Sequence, residues 1–312
     1  MSSRFPRMKN PIVILVAAML AGVPLLSRAQ ETAGVKQGSE LIRGVNCGLP
    51  ADALLEVETQ TVFNEPIVVT GKLLGPVRTT HNEGVVKFVK CRFVNTGYVP
   101  LSEGDKATPG TAHFTVHRAG KGSVELEDCE VLGGKSVAIM NVDKVTRTYV
   151  AEGNDLIRVP GGESHYTEVL GEKLIMDSPS SHSDVLQITF TKGTPEQPII
   201  ADMHILRCKF EAFGRRDSEG KSIDGINGAI QLGSMVPDTG VKGEITDSYF
   251  DGGAFTLAGG DHGSAGKPIV LRGNKFGRLA KYGPINPRWY QNEDVDDSNV
   301  WADNGEPVKS KR

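Results

Sequence analysis

An eight-residue pattern that recurs five times without a gap constrains the fold of this chain more than any other feature. The five copies are VKFVKCRF (86 to 93), VELEDCEV (124 to 131), MHILRCKF (203 to 210), GEITDSYF (243 to 250) and IVLRGNKF (269 to 276). Each copy has an apolar residue at its third position, Cys, Ser or Asn at its sixth, and Phe or Val at its eighth. Self-similarity at spacings of a few tens of residues predicts a solenoid.

The spacing between these columns identifies the kind of solenoid. Successive side chains of a β-strand point to opposite faces, so the third and sixth positions share one face only if the backbone bends between them. The fifth position would then form a sharp corner with a left-handed backbone conformation, which Gly and Asp tolerate best. The corner residues are Lys90, Asp128, Arg207, Asp247 and Gly273, and the two basic ones suit a corner less well.

A second short apolar alternation, such as SVAIM, GAIQL or GAFTL, follows a glycine turn after several copies. Each repeat therefore holds three strands and three turns, and parallel stacking of such repeats predicts an all-β fold, a single-stranded right-handed parallel β-helix. The 37 glycines in 312 residues agree with a turn-rich β protein. At ~25 to 30 residues per coil the chain holds roughly ten coils. The stretches 141 to 183 and 211 to 226 are loops, or coils whose pattern has decayed.

The first 29 residues are predicted to be a signal peptide. Basic residues precede an apolar run from Ile12 to Leu26, and Ser27 to Ala29 form a small-x-small cleavage site. The run is shorter than the ~18 to 20 apolar residues of a membrane span, and no later stretch qualifies. An uncleaved anchor is the alternative. We expect a secreted protein, extracellular or periplasmic, with one β-helix domain over 30–312 and a C-terminal loop or cap over 282–312.

The charge of the chain argues against nucleic acid as a partner. The net charge is −3 for the whole chain and becomes −7 without the four basic residues of the leader. Proteins that bind nucleic acid instead carry a basic face that neutralises phosphates. We expect a monomer with no stable membrane insertion after signal cleavage.

The four cysteines are predicted to be free thiols. Cys91, Cys129 and Cys208 fall in the sixth position of the repeat and so belong to one inward column, while Cys47 lies far from the copies. A disulfide between adjacent coils is the alternative, but three cysteines in one column and one elsewhere do not pair neatly.

The strand after the glycine turn is the predicted floor of a binding groove. The core of a β-helix is filled, so a long polymer can bind only along the outside. Strict alternation places apolar residues inward: Leu186, Ile188, Phe190, Ile230, Leu232, Phe255 and Leu257. It places Gln187, Gln231 and Thr256 outward, one above another at ~4.8 Å, where they could bind sugar hydroxyls. A solvated sheet face also shows outward polar residues.

Five titratable residues are predicted to border this floor as catalytic candidates: His182, Asp184, Lys192, Asp261 and His262. His182 and Asp184 could supply a general base or bind a metal. Lys192 could accept a proton if desolvation or another cation lowers its pKa. Taken singly, each residue is also compatible with a structural role in a turn.

The C-terminal segment concentrates aromatic and acidic residues. Its aromatic residues either stack on sugar rings or cover the open end of the last coil, as a solenoid requires. They are Tyr282, Trp289, Tyr290 and Trp301. The acids make Ca²⁺ a candidate ion, with a solvated loop as the alternative. They are Glu293, Asp294, Asp296 and Asp297.

Three segments resemble exported bacterial right-handed parallel β-helix proteins of the pectate-lyase-like superfamily. HSDVLQI, GNKFGRLAKYGPI and SNVWADNGEPV are similar to its His-x-Asp-Gly-Ile-Gln, Asn-x-Phe-Gly-Arg and Asn-Val-Trp-x-Asp-x-Gly segments. Val185 and Leu186 depart from the Gly-Ile pair. The resemblance covers about 170 to 308 and implies the fold, whereas activity varies among lyases, hydrolases and non-catalytic adhesins. The Asp-Asp and Arg-x-Lys pattern of polygalacturonase-like hydrolases is not visible.

The sequence therefore predicts a secreted protein that binds an extracellular polysaccharide. If it also cleaves the polymer, β-elimination is the expected reaction: a base removes the proton next to a carboxylate while a cation neutralises that carboxylate. The alternative is a non-catalytic surface, structural or adhesin-like module.

Overall fold

The computed structural model describes residues 61–95, 113–134, 136–159, 161–175, 182–188, 193–213, 226–232 and 236–309. The predicted leader over 1–29 lies outside these ranges, as do Cys47, Phe190 and Lys192. The described part of the chain holds no helix with the length and hydropathy of a transmembrane span.

The fold is an all-β, right-handed parallel β-helix, as the repeat predicts. The strands form three nine-stranded sheets, and every strand pairs in parallel with the strand three places along the chain. Nine coils therefore follow one another, and each contributes its first strand to sheet A, its second to sheet B and its third to sheet C.

The strands are short, and their bounds are as follows. Coils 1 to 3 comprise β1 (Thr61–Phe63), β2 (Ile67–Thr70), β3 (Leu73–Leu74), β4 (Val77–Thr79), β5 (Val85–Val89), β6 (Arg92–Val94), β7 (Phe114–Arg118), β8 (Ser123–Glu127) and β9 (Glu130–Leu132). Coils 4 to 6 comprise β10 (Val137–Met140), β11 (Lys144–Thr146), β12 (Tyr149–Ala151), β13 (Ile157–Val159), β14 (Gly162–Thr167), β15 (Leu170–Glu172), β16 (Ser183–Ile188), β17 (Ile199–Leu206) and β18 (Lys209–Ala212). Coils 7 to 9 comprise β19 (Ile226–Leu232), β20 (Thr239–Thr246), β21 (Tyr249–Gly252), β22 (Phe255–Ala258), β23 (Val270–Arg272), β24 (Lys275–Phe276), β25 (Gly283–Ile285), helix α1 (Pro287–Asn292), β26 (Asp294–Val295) and β27 (Val300–Trp301).

The corner between sheets B and C has the predicted left-handed backbone. All five predicted corner residues have positive φ, from 49° at Arg207 and Asp247 to 66° at Gly273. Arg147 and Glu168 occupy the same corner in the coils between. The basic corner residues are accommodated because charges alternate along the stack: Arg147 bonds to Asp128 at 2.6 Å, and Arg207 bonds to Glu168 at 3.0 Å.

The small polar column forms a hydrogen-bonded ladder inside the solenoid. Backbone amides of the sixth position, which would otherwise be buried without a partner, donate to the polar side chain of the next coil. The Cys208 amide donates to Ser248 Oγ at 2.9 Å, and the Ser248 amide donates to Asn274 Oδ1 at 3.0 Å. Asn274 Nδ2 then donates to Asn299 Oδ1 at 2.9 Å. Cys91, Cys129 and Cys208 are buried free thiols, which confirms that prediction for these three residues.

The stretch from 141 to 175 forms coils, not loops. Thr148 and Val169 replace the Cys/Ser/Asn position in the two coils between Cys129 and Cys208, and Val150 and Gly171 replace the aromatic one. Gly171 fits because the Val185 and Phe210 side chains fill the space that its own side chain would need. The repeat is therefore continuous in space although it decays in the sequence.

The C-terminal aromatic residues mostly cover the last coil. Trp289, on α1, is fully buried, and its indole nitrogen donates to the Ala258 carbonyl at 3.3 Å. The Tyr290 hydroxyl donates to the Val308 carbonyl at 3.0 Å, and Trp301 stacks as the last rung after Phe276. Trp289 and Tyr290 therefore pack against the last coils, whereas Tyr282 is 59 % exposed, and the cap over 282–312 stays a prediction.

Candidate functional site

The outer face of sheet A presents one column of side chains, exposed at Arg78, buried at Ala258 and partly buried between them. We call this column the outer strip. Its members are aligned by the register of adjacent strands: Arg78, His117, Met140, Arg158, Gln187, Gln231 and Ala258. Burial, together with Arg78 and Arg118, lowers the pKa of His117, so the fixed positive charges of the strip are Arg78 and Arg158. Gln187 and Gln231 are adjacent in it, as predicted.

The prediction for Thr256 is wrong. Gln231 pairs with Ala258, so Ala258 and not Thr256 continues the strip. Thr256 is fully buried, and its hydroxyl donates to the Gly252 carbonyl at 3.1 Å. Strict alternation fails because each coil bends within sheet A and turns two consecutive residues inward, here Thr256 and Leu257. Phe255, predicted to face inward, instead lies partly exposed.

Phe255 and Tyr282 form an aromatic pair on this face. Their ring centroids lie 5.7 Å apart with planes inclined at 45°, and the Lys281 ammonium lies 5.0 Å from the Tyr282 ring centroid. Phe255 pairs with Gly283, which has no side chain to cover it. An exposed ring held by a second ring offers a flat apolar surface on the same sheet as the outer strip.

Asp184 lies on strand β16, three residues before Gln187 of the outer strip, and is fully buried. One carboxylate oxygen accepts from the Gly228 amide at 2.9 Å, and the other accepts from Gln187 Nε2 at 3.4 Å. Its own amide donates to Asp155, a second fully buried aspartate, at 3.0 Å. Asp184 therefore links two coils and orients Gln187, while His182 is exposed just before β16.

Asp155 and Arg158 repeat this arrangement one coil earlier, and the sequence analysis missed both. The Arg158 guanidinium contacts the Asp155 carboxylate at 2.5 Å and keeps 33 % of its side chain exposed. In both Asp155–Arg158 and Asp184–Gln187, the second residue lies three positions after the first, and the two residues between them point inward. That shared spacing, DLIR beside DVLQ, was the available signal.

The partly exposed His262 pairs with the buried carboxylate of Glu293. Its Nδ1 lies 3.3 Å from Glu293 Oε1, and Glu293 Oε2 accepts from the Ile269 amide at 2.6 Å. Burial raises the pKa of Glu293, opposed by the Ile269 amide and by His262. A carboxylate fixed on one ring nitrogen orients the imidazole and leaves the other nitrogen for proton transfer. Asp261 is exposed and accepts from the Gly263 amide at 2.9 Å, as in a turn.

The catalytic candidates fall into two groups. Asp184 lies near the N-terminal end of strand β16, whereas His262 follows the C-terminal end of strand β22, two coils later. That His182, Asp184, Asp261 and His262 border one groove stays a prediction. Lys192 is outside the described residues.

The segments that carry the family resemblance have structural roles. Asn274 and Asn299 belong to the polar ladder, and Phe276 and Trp301 to the aromatic column. Arg278 lies 4.0 Å from the Trp301 ring centroid and pairs with Asp303 at 2.9 Å. The contacts of these residues in two of the three segments are structural.

Most acids proposed for Ca²⁺ have other partners. Glu293 binds the Ile269 amide, and Arg272 pairs with Asp294 at 3.0 Å and with Asp296 at 3.5 Å. Calcium at this segment stays a prediction.

Comparisons of this chain with protein-family models, with curated proteins and with solved structures each gave no match.

Proposed function

We propose that this chain is an exported protein that binds an extended polysaccharide along the outer strip of sheet A. The observation that carries the proposal is that one sheet holds both aligned polar side chains and an exposed aromatic pair. Gln187 and Gln231 repeat at the ~4.8 Å spacing of the coils, and Phe255, on the strand after that of Gln231, contacts the exposed Tyr282 ring. A polymer with hydroxyls and apolar ring faces at regular intervals matches such a surface.

Export and a pectate-lyase-like origin belong to the same proposal. The basic and apolar character of residues 1–29 supports export, and the three resembling segments support the superfamily. Their residues form the ladder, the aromatic column and the Arg278–Asp303 pair, so they would be retained in relatives of differing activity.

Cleavage by β-elimination is a second candidate, favoured by the His262–Glu293 pair. An imidazole whose Nδ1 is held by a buried carboxylate is arranged as a proton acceptor. In that reaction the base takes the proton beside a uronic carboxylate, the C–O bond to the leaving sugar breaks, and a C=C bond forms. The buried Asp184 would act only by positioning Gln187.

Binding and cleavage are tested together on a panel of neutral and acidic polysaccharides. We expect saturable binding to at least one polymer, weakened at least 10-fold by Tyr282→Ala and retained by Tyr282→Phe. Val68→Ala is the matched control, because Val68 is 65 % exposed on sheet B. Absence of binding to every polymer, or full binding by Tyr282→Ala, would contradict the proposal.

The same mixtures report cleavage through the ultraviolet absorbance of an unsaturated product, measured with and without EDTA. A rise in absorbance that His262→Ala abolishes identifies a lyase. Binding without any rise identifies a non-catalytic module.

A further inference from the structure

We propose that the outer face of sheet B holds a binding site for a divalent transition-metal ion, ligated by Glu163, His165 and His204. Their ligand atoms all lie within 4.8 Å of one another. The site does not depend on polysaccharide binding, because it uses a different sheet from the outer strip.

The β-helix itself brings these residues together. Glu163 and His165 lie on β14, and the parallel register places them directly opposite Asp202 and His204 on β17. The residue between them on each strand, Ser164 or Met203, is buried, so the four side chains point outward. Strand neighbours ~4.8 Å apart are therefore held by the backbone ladder and not by flexible loops.

The two imidazoles are aligned face to face. Their ring centroids lie 4.7 Å apart with planes only 9° apart. Glu163 Oε1 lies 2.8 Å from His165 Nε2. Two ligands of one tetrahedral ion at ~2.0 to 2.2 Å from it stand about 3.3 Å apart, so rotations of the exposed side chains complete the site.

Carboxylates on the same face favour a cation and orient the second imidazole. Asp202 lies 3.2 Å from His204 Nε2, and Glu244 lies 3.4 Å from its Nδ1. One ring nitrogen can therefore ligate while the other keeps a carboxylate partner, the arrangement common around zinc-bound histidines. Lys242 neutralises one acid by bonding to Asp202 at 2.7 Å, which leaves Glu163 and Glu244 to balance the ion.

The ligand set selects the class of metal. Imidazole nitrogen with carboxylate oxygen suits Zn²⁺, Ni²⁺ or Cu²⁺, whereas Ca²⁺ and Mg²⁺ prefer oxygen ligands alone. Three protein ligands leave one tetrahedral position for water or an external ligand.

The test titrates Zn²⁺ into metal-free, untagged protein at pH 7.5 by calorimetry. We expect one equivalent to bind and at least a 10-fold loss of affinity in each of His165→Ala, His204→Ala and Glu163→Gln. Val68→Ala is the control, because it changes an exposed side chain of the same sheet that offers no metal ligand, and it should leave Zn²⁺ binding unchanged. Circular dichroism checks that each variant keeps its β spectrum.

Co²⁺ provides an independent readout, because a tetrahedral Co²⁺ ion with these ligands absorbs visible light that His165→Ala should weaken. The inference is overturned if Zn²⁺ shows no saturable binding, if the His165→Ala/His204→Ala double variant binds as well as the wild type, or if Ca²⁺ binds the site equally well.

Discussion

At the residue scale, the buried polar ladder shows why the sixth position of the repeat accepts only small polar or thiol side chains in the five matching copies. Asn274 accepts from the Ser248 amide and donates to the Ile245 carbonyl at 2.8 Å, so one side chain satisfies two buried backbone groups. Cysteine does the same more weakly: Cys208 Sγ accepts from the Val169 amide at 3.5 Å. Burial raises the pKa of the Cys208 thiol to about 12, which keeps it neutral at the pH of most measurements.

Replacing Asn274 with leucine tests this role. Asn274→Leu leaves the Ser248 amide and the Ile245 carbonyl buried without that partner, so we expect a loss of about 2 to 5 kcal/mol in the free energy of unfolding. Cys208→Ser is the matched control, because the serine hydroxyl can accept from the Val169 amide as the thiol does. It should change the free energy of unfolding by less than about 1 kcal/mol. Urea denaturation measures both. A smaller loss for Asn274→Leu than for Cys208→Ser would refute the role.

At the element scale, the corner between sheets B and C depends on backbone conformation and on the charge of its neighbours. The corner amide continues the ladder between coils, as where the Asp247 amide donates to the Arg272 carbonyl at 3.1 Å. Only a left-handed residue turns the chain there without breaking that ladder. A side chain at Gly273 would meet the Asp247 carboxylate at 2.5 Å, so that carboxylate would have to move.

A β-branched residue at the corner is the corresponding test. Asp247→Val should lower the free energy of unfolding by about 1 to 3 kcal/mol, because valine resists positive φ. Asp247→Asn should be nearly neutral. The neighbouring change Thr246→Val provides the control, since Thr246 is the last residue of strand β20 and valine favours strands. Thermal and chemical denaturation compare the three variants, and equal stability of Asp247→Val and Thr246→Val would contradict the explanation.

At the scale of the whole molecule, each coil packs only on its neighbours, so stability is expected to be local. The last coil is covered by α1, whose Trp289 is buried against Gly260 and the Ala258 carbonyl. In a solenoid, damage at an end should open the end coils while the central coils remain closed.

Hydrogen exchange of Trp289→Ala tests that locality. The truncation should cost about 3 to 5 kcal/mol. The lost amide protection should be confined to coils 8 and 9, residues 255–309. Phe210→Ala, a change in the sixth coil, should instead expose central strands. Uniform loss of protection along the chain in Trp289→Ala would show that the molecule unfolds as one unit.

The sequence by itself determined the solenoid, its inward columns and its corners. Those features depend on local periodicity. Two inward columns that lie three positions apart require a bend wherever they occur, because strand side chains alternate with a period of two. The coils between 141 and 175 show only a decayed pattern because Val169 stands where the copies have Cys, Ser or Asn, and Gly171 stands where they have Phe or Val. Neighbours such as Phe210 fill the space at Gly171.

The contacts between side chains that are distant in the sequence became known only from the tertiary structure. The bend within sheet A moved Thr256 inward and Phe255 outward, and strict alternation cannot reveal a bend that lacks a marker residue. Glu293 joins His262, and His165 faces His204, across 31 and 39 positions of the sequence, because the register between coils sets those contacts. That register depends on the number of residues in every intervening turn and loop, which no local pattern encodes.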